Sequence, residues 1–211
     1  MSTITHHAPD ALLAAYASGN LPHSFALVIA AHVSLCPECR VALAAHQAVG
    51  GTVLNASAPV DLSEGLKSRV LAQLDAPQGP EPTYQRSSIF PGSIMAALKG
   101  KPPRWKSLGM GVRQSLLSAD KSGSARLLYI PPGRAVPDHS HNGLELTLVL
   151  QGSFSDATGT FGVGDLEVAD EDLDHQPIAD PGRPCICLAA TDAPLRFNAF
   201  LPRLLQPLFG I

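Results

Sequence analysis

His32, Cys36 and Cys39 stand four and three residues apart, a spacing that on a helix brings side chains of neighbouring turns to one side. One imidazole and two thiols facing a common point are ligands for zinc, and a closed tetrahedral site needs a fourth. His6 and His7 precede the first expected helix, and His7, the nearer of the two, is the preferred fourth ligand. Pro37 suits the first position of a helix, so Cys36 falls at a helix start. There the free backbone N–H groups and the dipole favour thiolate, the form that binds metal. A lone Cys-x-x-Cys would equally suit two small core residues; the histidine upstream tips the reading to zinc. His23 and His46 have no such company and read as surface or core residues.

A second constellation runs Gly133-x5-His139-x-His141-x3-Glu145-x6-Gly152. On a strand, alternation puts His139 and His141 on one face, and Glu145 enters from the next turn or strand. Two imidazoles and a carboxylate make a facial metal-binding set. In its anchors and intervals this run resembles the first motif of the cupins. From Gly164 the spacing of their second motif leads to His175, although Asp170, Asp172 and Ala179 stand where the family carries Pro, Gly and Asn. By that resemblance His175 is the fourth ligand, and the set suits Zn, Mn, Fe or Ni by ligand type. No further acid, base or nucleophile is evident beside it.

Cys185 and Cys187 are two apart in an apolar run and so share a face. They read as small core residues, with an oxidisable thiol pair in or beside the cupin cavity as the alternative. The acidic run Asp170 to Asp174 reads as a solvated loop, and Tyr129 and Phe154 as barrel packing.

These residues must be positioned by two kinds of element. Up to about residue 75 the chain is rich in Ala and Leu and predicts helices over Pro9 or Asp10 to Ser18, about Pro22 to Leu35, and Pro37 to Val49, with Gly19 and Gly50-Gly51 as stops. A fourth helix opens with Asp61 and Glu64 spaced as a capping box and lines up Leu62, Leu66, Val70, Leu71 and Leu74 as an apolar stripe. Ala76 to Pro82 holds three prolines in seven residues and reads as a linker. Beyond it, the apolar runs Ala125–Ile130, Leu144–Leu150, Leu166–Val168 and Ile186–Ala189 predict an all-β barrel or sandwich. The expected organisation is therefore α + β in two domains: a helical zinc-binding bundle over 1–75, a Pro-rich linker over 76–90, and an all-β cupin (jelly-roll) barrel over 91–211. Such a linker implies domains without a shared core.

Composition excludes some functions. Fifteen Lys plus Arg against eighteen Asp plus Glu give a net charge of -3, which offers no positive field for a phosphate backbone, so direct nucleic-acid binding is not expected. No stretch approaches the roughly twenty apolar residues of a membrane span. The first residues lack a basic stretch followed by an apolar run, and the four cysteines fall as two close pairs; the expectation is a cytoplasmic protein whose thiols serve metal or redox chemistry.

The pattern His-x3-Cys-x2-Cys with an upstream histidine resembles the zinc-binding anti-sigma factors of bacteria, and together with the cupin the whole chain resembles those of the ChrR type. The resemblance implies a helical half that clasps an extracytoplasmic-function sigma factor, with structural zinc, no catalytic activity, and a cupin that governs release under an oxidant such as singlet oxygen. The Leu62 to Leu74 stripe and the first helix would face the sigma factor; packing of that stripe on its own domain is the alternative. The rival reading is a metal-dependent cupin enzyme, dioxygenase-like, with a zinc domain that only dimerises or tethers it.

Overall fold

Helix formation follows the predicted punctuation at the start of the chain and departs from it later. The computed structural model describes residues 3–74, 82–135, 139–140, 143–170, 176–192 and 196–197, the pairs 139–140 and 196–197 by backbone alone. The helices are α1 (Asp10–Ala17), α2 (His23–Leu35), α3 (Pro37–Ala56), α4 (Leu66–Leu74) and α5 (Gly92–Ala97). Between α2 and α3 the chain turns by 118° at Cys36, whose extended backbone breaks the helix and whose sulfur accepts the Cys39 N–H at the start of α3. Arg40 locks the corner from below, donating to the Val33 and Ser34 carbonyls at the end of α2.

Two expected helix boundaries need correcting. The glycine pair does not stop the third helix, which continues seven residues past Val49 to Ala56. Neither Gly50 nor Gly51 takes the positive φ of a helix stop, and mid-helix glycine costs only about 1 kcal/mol relative to alanine. The fourth helix does not open at the Asp61 box. Gly65 has φ +75°, outside the right-handed helical region, so α4 begins after it, at Leu66.

The strands are β1 (Lys106–Gly109), β2 (Val112–Asp120), β3 (Gly123–Ile130), β4 (His139–Ser140), β5 (Glu145–Gln151), β6 (Phe154–Ser155), β7 (Thr160–Phe161), β8 (Leu166–Ala169), β9 (Ile178–Ala179), β10 (Cys185–Thr191) and β11 (Arg196–Phe197). A six-stranded antiparallel sheet has the order β1-β2-β3-β10-β5-β8, beside a three-stranded sheet β7-β6-β9 and the pair β11-β4. Strand alternation divides the large sheet into two faces. One carries Val112, Ile130, Val149, Cys185 and Cys187 and packs against Phe154, Phe161 and Ala179 of the small sheet. This is the interior of the cupin. The other face carries Ala125, Leu127, Leu146, Leu148, Leu188 and Ala190. Both faces of β5 and β10 are covered, which is why they read as nearly continuous apolar runs.

The second face is covered by helices. Phe25, Val28 and Ile29 of α2 and Ile94 of α5 are buried in one core with the outer residues of the sheet. That core also reaches Cys36, Cys39 and Leu43. The Pro-rich linker had implied halves without a shared core; instead α2 is apolar nearly all round, as a helix buried on opposite sides must be. Of the predicted linker, Ile89 and Phe90 pack against this same core, while residues 76–81 lie outside the described part of the chain. Among the described residues no single helix is long and apolar enough to cross a membrane.

Candidate metal centre

His32 lies in the last turn of α2, Cys36 caps α3, and Cys39 lies in its first turn. The segment before α1 brings His7 to the same place. One ligand atom from each of His7, His32, Cys36 and Cys39 falls within 4.8 Å of every other. His7 Nδ1 lies 3.3 Å from Cys36 Sγ and 3.8 Å from Cys39 Sγ, and His32 Nε2 lies 3.2 Å from Cys39 Sγ. A zinc ion about 2.3 Å from each sulfur and about 2.0 Å from each nitrogen gives tetrahedral edges of roughly 3.3 to 3.8 Å. The donor set fits that ion in kind, number and spacing.

The electrostatics agree. Burial lowers the His32 pKa, against the pull of its hydrogen bond to Gly164, so the ring is neutral and offers a lone pair. Burial pushes the Cys39 thiol up to about 11, against the backbone N–H of Ala8, with neighbouring Cys36 raising it further. A thiol so placed ionises only against a compensating cation, which a divalent metal supplies.

Outer contacts orient the donors. His32 Nδ1 faces the Gly164 carbonyl at 3.0 Å, which fixes the tautomer that turns the Nε2 lone pair to the thiols. His7 Nε2 lies 3.3 Å from Glu38 Oε2 at the exposed rim. His6 points elsewhere: its ring packs tilted against Phe161, with centroids 4.3 Å apart, and lies 3.6 Å from Asp165. Asp165 Oδ1 accepts the Thr5 and His6 N–H groups at 2.7 and 2.9 Å, and its Oδ2 accepts that of Gly162 at 2.8 Å. Burial acts to raise the Asp165 carboxyl, but these three N–H bonds and the His6 ring outweigh it and hold it below its ordinary value.

A family model described as the ChrR cupin-like domain matches residues 95–193. The chain is 54% identical over 212 residues to the anti-sigma-E factor ChrR of Cereibacter sphaeroides, covering 99% of this chain and 100% of that one. The chain belongs to the ChrR family of anti-sigma factors. Among solved structures it is similar to that of Rhodobacter sphaeroides SigE in complex with the anti-sigma ChrR, at 52% identity and TM-score 0.79 over 90% of this chain and 100% of that one. An RmlC-like cupin protein from Ralstonia eutropha matches at 18% identity and TM-score 0.43, over 47% of this chain and 69% of its own.

In this ChrR-family chain the second predicted ligand set is described only in part. His141 and His175 lie outside the described residues, and His139 is described by backbone alone, in β4 opposite Phe197. Glu145 opens β5, is buried, and accepts a hydrogen bond from Thr147 Oγ1 at 3.1 Å. Its surroundings are polar: Arg126, Gln114, Thr147 and Glu167 are buried in the same half of the chain, and Arg126 donates to Gln114 and to Ser124. Cys185 and Cys187 sit in the inner core with their sulfurs 3.4 Å apart. The hydrogen bond shared with Cys185 and then burial push the Cys187 thiol well above its ordinary value. Phe154 packs in the inner core, while Tyr129 packs on the helical side, beside Trp105 and beneath Arg113.

Sequence reasoning did not find Asp165 or the Gly164 carbonyl as parts of the amino-terminal centre. Gly164 stands out only as the anchor of the second cupin motif, and nothing in the sequence singles out Asp165. No local pattern relates them to His7, some 160 positions away.

Proposed function

We propose that this chain inhibits an extracytoplasmic-function sigma factor by binding it through its helical half, and releases it when the cupin half registers an oxidative signal. The observation that carries the reading is an unpartnered apolar surface on a chain of this family. Val53 and Leu54 near the end of α3, and Leu62, Val70, Leu71 and Leu74 in and before α4, are all exposed; Leu66 is half-buried. Exposed apolar side chains in such number suit a protein interface. The α4 stripe thus does not pack on its own domain. The relative solved with SigE lends the identity of the occupant.

In this reading His7, His32, Cys36 and Cys39 hold one zinc ion. When bound, it cross-links the stretch before α1, α2 and the start of α3, and so contributes folding free energy to the helical half. His139, Glu145, His141 and His175 hold a second divalent metal, Zn, Mn, Fe or Ni. Support for that site is the buried Glu145 carboxylate in a polar interior, together with the motif spacing. The chain acts in the cytoplasm, where a sigma factor meets RNA polymerase, and carries out no catalysis itself.

The test uses purified protein with SigE of Rhodobacter sphaeroides as first probe and the extracytoplasmic-function sigma factors of its own cell as the rest. A stable one-to-one complex that blocks transcription in vitro is expected. Failure to bind any of them refutes the proposal.

A further inference from the structure

The amino-terminal centre is not built by the helical half alone. Apart from the Glu38 contact of His7 at the rim, its outer contacts converge on a single turn between β7 and β8, in the opposite half of the chain. The Gly164 carbonyl of that turn faces His32 Nδ1. The next residue, Asp165, gathers the Thr5 and His6 amides on one oxygen, the Thr5 hydroxyl approaching the same atom at 3.4 Å, and ties its own turn through Gly162 on the other. Leu166 N–H donates to the His6 carbonyl at 3.1 Å, which extends the grip by one strand-like bond. Gly164 sits at φ +94°, and a Cβ there would lie 2.5 Å from Ile4 Cδ1. The Ile4 side chain thus packs directly onto the turn, and the positive φ of Gly164 is one that favours glycine.

We infer that Asp165 is a positioning residue of the zinc centre: it clamps Thr5 and His6 so that His7, the next residue, is held at Cys36 instead of riding on a free amino-terminal tail. The inference rests on the reading that the four donors bind zinc. Its physical basis is preorganisation. His7 is the exposed ligand, attached to a segment with no regular secondary structure before α1. A ligand on a loose tail contributes at a low effective concentration, and one fixed at its neighbouring residue contributes at a far higher one. The clamp also places half of the centre's support in the cupin half. Any rearrangement that moves the turn at residues 162–166 acts on His7 through Asp165 and on His32 through the Gly164 carbonyl together.

The experiment uses the full chain loaded with Co(II). The absorption from thiolate-to-cobalt charge transfer reports the Cys36–Cys39 site, because the second ligand set contains no thiol. Its decay after addition of EDTA is followed for wild type, Asp165→Ala, Asp165→Asn and Asp156→Ala. Asp156 accepts within its own hairpin, from Thr158 and Gly159, and controls for general loosening of the sheet half. Asp165→Ala is expected to lose the signal at least about tenfold faster, in line with other outer-contact residues of metal sites. Asp165→Asn, which keeps one carbonyl acceptor, should fall between, and Asp156→Ala should match wild type. Thr5→Pro deletes both Thr5 donors, amide and hydroxyl, without altering the turn, and should also accelerate loss even where Asp165→Ala does not fold. Decay of Asp165→Ala and Thr5→Pro at the wild-type rate overturns the inference, as does equal acceleration by Asp156→Ala. Wild-type protein that shows no charge-transfer absorption overturns the zinc reading itself.

Discussion

Replacing Leu71 and Leu74 together by alanine tests whether the apolar stripe of α4 is a docking surface. In the free chain Leu71 is 50% and Leu74 69% exposed, so half or more of each side chain is available to a partner. Full burial of a leucine contributes about 1.5–3 kcal/mol, which gives roughly 1–2 kcal/mol for each exposed portion and roughly 2–4 kcal/mol for the pair. Dissociation constants should rise by a factor of roughly 30 to 700. Alanine is the strongest helix former, and no core residue rests on these two side chains, so the fold should be indifferent within about 0.5 kcal/mol. The assay is titration calorimetry of the full chain against the sigma factor, with a thermal melt of each variant alone. Unchanged affinity would refute the reasoning. So would a drop in melting temperature, which would place the two leucines in the chain's own core.

Cys36→Ser with Cys39→Ser should strip the amino-terminal zinc, remove on the order of 10 kcal/mol of folding free energy from the helical half, and abolish sigma inhibition; full inhibition by the double variant excludes a structural zinc. With the Cys39 thiol near 11, zinc must displace its proton at neutral pH, so affinity should rise about tenfold per pH unit for each such proton between about pH 6 and 8. Calorimetry in buffers of different ionisation enthalpy measures that release, and proton-free binding contradicts it. Residues 1–80 expressed alone leave the sheet-facing Phe25, Val28 and Ile29 of α2 uncovered; the fragment should bind a hydrophobic dye and melt below the full chain, and an equal melt would mean the shared core adds nothing. His141→Ala should lose the cupin metal and the oxidant response while still binding the sigma factor, and a normal response in a reporter strain would rule out sensing through that metal.

The chemistry was more legible in the sequence than its support. His32, Cys36 and Cys39 announce themselves because one helix turn followed by a Pro-initiated helix start is a local arrangement, fixed by spacing alone. The strands of the sheet were found for the same reason, Ala125–Ile130 and Ile186–Ala189 being short apolar runs between turn residues. Three features were not. Gly50 and Gly51 look like a stop, but a glycine stops a helix only when the chain beyond favours a left-handed residue, and here it continues as helix. Helix α5 is six residues in a Pro-flanked stretch, too short for periodicity to show. The joint core escaped because a Pro-rich connector says nothing about whether the elements on either side meet. What signalled it was α2 itself, apolar on faces that a helix in a small isolated bundle would leave to water.

The clamp on the amino terminus also has an order in time. Thr5 and His6 leave the ribosome well before Asp165, which follows 159 residues after His6. At about 5–20 residues per second, the 126 residues from Cys39 to Asp165 take roughly 6 to 25 s, during which the thiols exist before the turn that secures His7 has been made. During that interval the sheet that will cover Phe25 and Val28 is absent too. The newborn helical half is thus accessible to metal and to partner on a schedule set by translation. A partner already present in the cell would meet it first as a nascent chain, before the sheet half has been made.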